Sequence, residues 1–180
     1  VEVAHSSGFH PKMLLSYAPA LPLGMTAKEE CFEFRSFYQL DERALLERLN
    51  RSARSGILFL RVRRVDKSET SLGERIHGLV YSLDLSDADL RAALEARKAA
   101  LGMGHIDDLD FIRQEMARFL QGQAGAPISS RVDREENKLY LEFPALSRRG
   151  LRPQDVVSAV FGLDNASPRL TRERLVFRPA

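Results

Sequence analysis

Residues 57–65 read ILFLRVRRV, nine residues without a Gly or a Pro and rich in β-branched and aromatic side chains. Such a run reads as a β-strand. Strict alternation sends Leu58, Leu60 and Val62 toward a core and Phe59, Arg61 and Arg63 to the opposite side, with Arg64 at the end. Working outward, Gly56 closes a helix that Asp41 caps and that carries Leu45, Leu46, Leu49 and Ala53 on one face. Before it, residues 31–38 alternate as a second strand, with Phe32, Phe34 and Tyr38 on one side. Residues 14–18 form a short strand entered from a Gly/Pro turn. The order is therefore β, β, α, β, the last four elements of a ferredoxin-like β-α-β-β-α-β unit. Val1 is not an initiator Met. The expectation is a chain that is a fragment, with the first β-α of this unit lying ahead of it.

Residues 67–74, KSETSLGE, are polar and read as part of a linker. Residues 78–85 alternate as a strand, and Ser86 with Asp89 resembles a capping box opening a helix through Leu90, Leu94 and Leu101. Gly102 and Gly104 break it. A second helix, capped by Asp107, carries Leu109, Ile112, Met116 and Phe119. Residues 129–133 and 138–143 form a hairpin, Arg152-Pro153 opens a short helix that Gly162 stops, and residues 170–178 are a last strand. The fold class expected is α+β, two ferredoxin-like units in tandem. Residues 1–67 are the truncated first unit, 68–76 the linker, and 77–180 a second unit whose first crossover is expanded into a helical hairpin.

The chain has 180 residues, a net charge of +2, 44% hydrophobic residues and a single Cys, Cys31. One Cys excludes an internal disulfide framework and fits a cytoplasmic protein. No apolar run approaches the ~18 residues of a membrane span. Charge is uneven: residues 43–67 hold eight basic and two acidic side chains, whereas residues 68–147 hold nine and fourteen.

Residues 5–24, HSSGFHPKMLLSYAPALPLG, concentrate His5, His10, Gly8, Gly24 and three prolines around a short apolar run. Gly and Pro at this density encode a particular backbone path. Ser7, Gly8, Phe9 and Pro11, then Leu15, Ser16, Ala18, Leu21, Pro22, Leu23 and Gly24, resemble the N-terminal signature of the radical SAM-linked proteins, an uncharacterised bacterial family. His10, Lys12 and Met13 stand where that family usually has Asn, His and Pro. The resemblance implies a cytoplasmic domain fused to, or encoded beside, a cobalamin-binding radical SAM protein. It also implies gene neighbours for a ribonuclease and ribosomal proteins.

A radical SAM iron–sulfur cluster takes three protein thiolates, which Cys31 alone does not supply. Iron–sulfur cluster, S-adenosylmethionine and cobalamin are therefore expected only on the partner. There is no Walker A loop, G-x-S-x-G or H-E-x-x-H. His5 and His10, five apart, are read as turn residues rather than metal ligands, and Cys31 as buried. The first expectation is a domain without catalysis of its own that docks on a radical SAM protein and helps present its substrate. The binding loop would be His5, Gly8, Phe9, His10, Pro11, Lys12 and Gly24. The alternative is an RNA-binding module for tRNA, rRNA or ribosome modification. Its face would combine Phe59, Arg61, Arg63 and Arg64 with Arg172 and Arg174, the last two sharing one side of the final strand with Arg178. Arg148, Arg149, Arg152 and Arg169 would lie beside that strand. An independent enzyme built on residues 5–24 is a third alternative.

Overall fold

The computed structural model describes residues 2–121, 129–145, 151–163 and 170–178. The protein is a mixed α+β structure with five helices and two sheets among these residues. No described helix is long and apolar enough to cross a membrane. The chain divides into two compact units, and the division is discontinuous. Val1–Ala18 and Cys31–Glu74 make one unit; Pro19–Glu30 and Arg75–Ala180 make the other. One boundary lies between Glu74 and Arg75, and residues 19–30 group with the second unit.

In the first unit, β1 (Leu15–Tyr17) pairs antiparallel with the later strand Phe32–Phe34, with Tyr17 opposite Phe32 and Leu15 opposite Phe34. Isolated bridges join Val3 to Ser36 and His5 to Met13. Between β1 and that strand, β2 (Thr26–Ala27) belongs to the second unit, so Phe32–Phe34 is β3. Helix α1 (Glu42–Ser52) starts at Asp41, whose carboxylate accepts the Ala44 N–H at 2.7 Å, as the capping rule predicts. It ends at Ala53, before Gly56.

The expected strand over residues 57–65 belongs to no ladder. The segment is free of turns and bends, but its backbone is tied to side chains of α1. Asn50 donates to the Phe59 carbonyl at 2.9 Å and accepts the Phe59 N–H at 2.8 Å; Glu42 accepts the Arg64 N–H at 2.7 Å. Exposure does not alternate either: Leu58 and Leu60 are 71% and 59% exposed, whereas the half-buried residues are Phe59, Val62 and Val65, three apart. With no sheet neighbour, side-chain hydrogen bonds set the orientation instead of alternation.

The second unit is built on a five-stranded sheet ordered β2-β7-β4-β6-β5. A short helix α2 (Leu72–Arg75) leads into β4 (Ile76–Asp84). Then come α3 (Ala88–Ala100), α4 (Asp108–Gln121), β5 (Ser129–Asp133), β6 (Lys138–Pro144), α5 (Pro153–Phe161) and β7 (Leu170–Phe177). The central strand β4 lies antiparallel to β6 and β7, β5 is antiparallel to β6, and β2 adds parallel to the free side of β7. Asp87, not Ser86, caps α3, and Gly162 ends α5 at φ 70°. One face of the sheet carries Leu79, Tyr81, Leu83, Leu139, Leu141, Phe143 and Leu170, all buried. The helices bury the matching stripe of Leu90, Leu94, Phe111, Ile112, Met116, Val156, Val157, Val160 and Phe161.

Candidate functional site

The structure splits the signature segment. Residues 5–18 stay in the first unit, where the Ser6 N–H donates to the Lys12 carbonyl at 2.8 Å and the Lys12 N–H to Ser6 Oγ at 3.0 Å. These bonds close a small loop over residues 6–12. Gly8 at its tip has φ 138°, a region that costs other residues strain. The loop holds Phe9 fully in solvent and leaves His5, His10, Pro11 and Lys12 exposed. Residues 19–24 lie in the second unit, where the Met25 N–H donates to the Pro22 carbonyl at 3.2 Å and Gly24 at φ 87° leaves Leu23 in solvent. Of the seven expected loop residues, six belong to the first unit and Gly24 to the second. Among the described residues, no group of three or more His, Cys, Asp or Glu is arranged to hold a metal ion. Cys31 is half-buried rather than buried.

The residues of the expected basic face are also drawn from both units. Phe59 packs edge-on to Phe32, centroids 6.1 Å apart, while Tyr17 and Phe34 lie 6.2 and 6.3 Å from Phe32. Arg61, Arg63 and Arg64 beside this aromatic row are exposed, with Arg63 3.3 Å from Glu69. Arg172, in the other unit, is fully buried. Its Nε and Nη2 hold both oxygens of Glu30, and its Nη1 donates to the Pro19 carbonyl at 2.7 Å. It fastens residues 19–30 to the sheet and is not available to a phosphate. Burial raises the Tyr81 phenol above its ordinary pKa, which the adjacent Arg172 offsets only in part.

Arg172 and Arg174 do not share a face. Tyr81 pairs with Arg172 but Val80 pairs with Arg174, so Glu173 is an extra residue in the ladder, a β-bulge. One inserted residue inverts the parity of the strand beyond it. Arg174 thus emerges on the other side, exposed, and Arg178 beyond β7 is exposed as well. The bulge has a sequence signal: Leu170 and Leu175 are five apart, and a regular strand cannot bury both on one side. Arg152 is exposed and pairs with Asp155. Arg148, Arg149 and Arg169 lie outside the described residues.

The sheet face bearing Val80 and Ser82 is polar and largely self-paired. Glu173 accepts from Ser82 Oγ at 2.5 Å and lies 2.5 Å from Lys28 Nζ. Arg131 sits 4.8 Å over the Tyr140 ring and 2.8 Å from Asp133, and Lys138 is 3.2 Å from Glu136. Its cations are thus largely neutralised where a nucleic acid would need them free.

Exposed large apolar side chains concentrate elsewhere. Phe9, Met13, Tyr17, Phe32, Phe37, Tyr38, Ile57, Leu58 and Leu60 all lie in the first unit, against Leu23, Leu101 and Phe177 in the second. Alternation over residues 57–65 assigned Leu58 and Leu60 to a core, so this surface was not legible as a surface.

Residues 1–114 match the family model described as "Uncharacterized protein conserved in bacteria (DUF2344)". No curated protein and no solved structure matches the chain.

Proposed function

From the premise that the chain belongs to this uncharacterised family conserved in bacteria, we propose that it is an accessory domain that docks on another protein through its first unit. The observation that carries this reading is the crowd of nine large apolar side chains exposed on a unit of little more than sixty residues. Water contact with that many Phe, Tyr and Leu groups is unfavourable by about 25 cal/mol per Å2, and large apolar side chains exposed in such number on one small unit fit a contact surface. The loop tipped by Phe9 supplies a preorganised anchor, and aromatic anchors of this kind dominate docking energies.

The partner we propose is a radical SAM protein of the kind the signature segment implies, in the cytoplasm. It would carry the iron–sulfur cluster, S-adenosylmethionine and cobalamin, and this chain would help present its substrate. The second unit serves as the platform. Its strand order β7-β4-β6-β5, all antiparallel neighbours, supports reading it as a ferredoxin-like β-α-β-β-α-β layer with one strand added. The RNA reading has less support, because Arg172 is buried in an ion pair and the polar face of the sheet is largely self-neutralised.

Affinity capture with the full chain from its native host tests the proposal. The expected result is co-purification of an iron–sulfur protein, lost in a Phe9→Asp/Leu60→Asp variant that keeps its circular dichroism. Recovery of no iron–sulfur protein, or capture unaffected by the variant, sinks it.

A further inference from the structure

Resting on the docking reading above, we propose that residues 57–65 accept an extended, acidic segment of the partner polypeptide as an added β-strand. The segment runs without turn or bend through Asp66. Helix α1 already satisfies part of this backbone: Asn50 takes both backbone groups of Phe59, as a neighbouring strand would, and Glu42 takes the Arg64 N–H. Because the N–H and C=O of a trans peptide point in opposite directions, the Leu58 carbonyl and the Leu60 N–H are directed away from Asn50. Those residues, Leu58 and Leu60, make no backbone hydrogen bond among the described residues. Their side chains are the most exposed leucines of the first unit. Unpaired amides and carbonyls beside exposed apolar side chains form a receptive strand edge.

Charge selects the occupant. Residues 53–67 hold five basic side chains and one acid, Asp66. Two copies paired along this edge would set Arg61, Arg63 and Arg64 against one another, which is repulsive. A nucleic acid would meet the arginines but would leave the Leu58 and Leu60 amides unpaired and the leucines wet. A strand alternating apolar and acidic residues satisfies all three: the ladder, the leucines and the guanidinium groups.

The test uses the full chain and two capped synthetic octapeptides, (Glu-Val)4 and (Lys-Val)4, with site-resolved hydrogen exchange as the readout. The expected result is that (Glu-Val)4 slows exchange at Leu58 and Leu60 at least about tenfold, that (Lys-Val)4 does not, and that added salt weakens the effect. Arg61→Glu/Arg64→Glu is expected to weaken binding about tenfold or more while leaving exchange in α1 and β3 unchanged, which shows the first unit of the variant is folded. Equal protection by both peptides, no protection, self-association through residues 57–65, or the same protection by poly-uridylate overturns the proposal. If an iron–sulfur partner binds while these amides stay unprotected, the added strand is wrong and the docking reading survives. If the acidic peptide binds and no such partner is found, the reverse holds.

Discussion

Arg172 is the side chain on which the placement of residues 19–30 turns. Burying a guanidinium is costly unless its nitrogens find acceptors, and here Glu30 and the Pro19 carbonyl engage all three. Removing Glu30 strands the charge. A fully buried partner would cost about 3–5 kcal/mol; Glu30 is half exposed, so water replaces part of the loss and about 2 kcal/mol is expected. Glu30→Ala should therefore lower the denaturant midpoint clearly, with Glu29→Ala within about 0.5 kcal/mol of the parent. Equal effects of the two would show that the ion pair contributes nothing. Glu173 makes a pH prediction. Burial raises its pKa, but Lys28 and Ser82 together outweigh burial and hold it below its ordinary 4.5. A depressed carboxylate contributes stability above its unfolded value and loses it as pH falls through the folded value. The melting-temperature gap between the parent and Glu173→Gln should accordingly be widest near neutrality and close below about pH 4.5. A gap constant with pH refutes the assignment. Neither pairing was legible in advance, because each joins residues more than 90 positions apart in sequence that no local pattern marks.

At the scale of elements, features set by local physics were readable, and features set by a neighbour were not. Asp41 and Asp107 cap helices because a short carboxylate reaches the free N–H groups of the first turn, a property of a few adjacent residues. Gly162 ends α5 because only glycine adopts its positive φ cheaply. The hairpin of β5 and β6 arises from two alternating runs around a turn at residues 134–137. Residues 57–65 have the composition of a strand yet pair with none, since a ladder needs a second backbone and Asn50 supplies a side chain instead. Asn50→Ala removes two hydrogen bonds to Phe59 and leaves α1 its cap and its buried Leu45. A loss of about 1–2 kcal/mol is expected, with faster exchange confined to residues 57–65. Exchange accelerating throughout α1 would mean the asparagine supports the helix instead.

Across the whole molecule, burial is distributed unequally, and stability should reflect it. Of 24 buried apolar residues among those described, only Ala4, Ala18, Leu45 and Leu72 belong to the first unit. Two of the four are alanines, with little apolar surface to contribute. The second unit buries Phe111, Phe161, Leu83, Leu139, Leu141 and Leu170 almost completely. Opening a region costs the contacts it breaks, so the first unit should open more readily than the second. Native-state hydrogen exchange of the full chain is expected to place the slowest amides at Leu83, Leu139, Leu141 and Leu170, with β1 and β3 exchanging at least about tenfold faster. The difference should shrink when a docking partner covers the first unit, because ligand binding to the closed form adds its own free energy to every opening that releases it. Slowest exchange in β1 or β3 of the free chain would contradict this ordering, and with it the view that the first unit gains its missing apolar contacts from a partner.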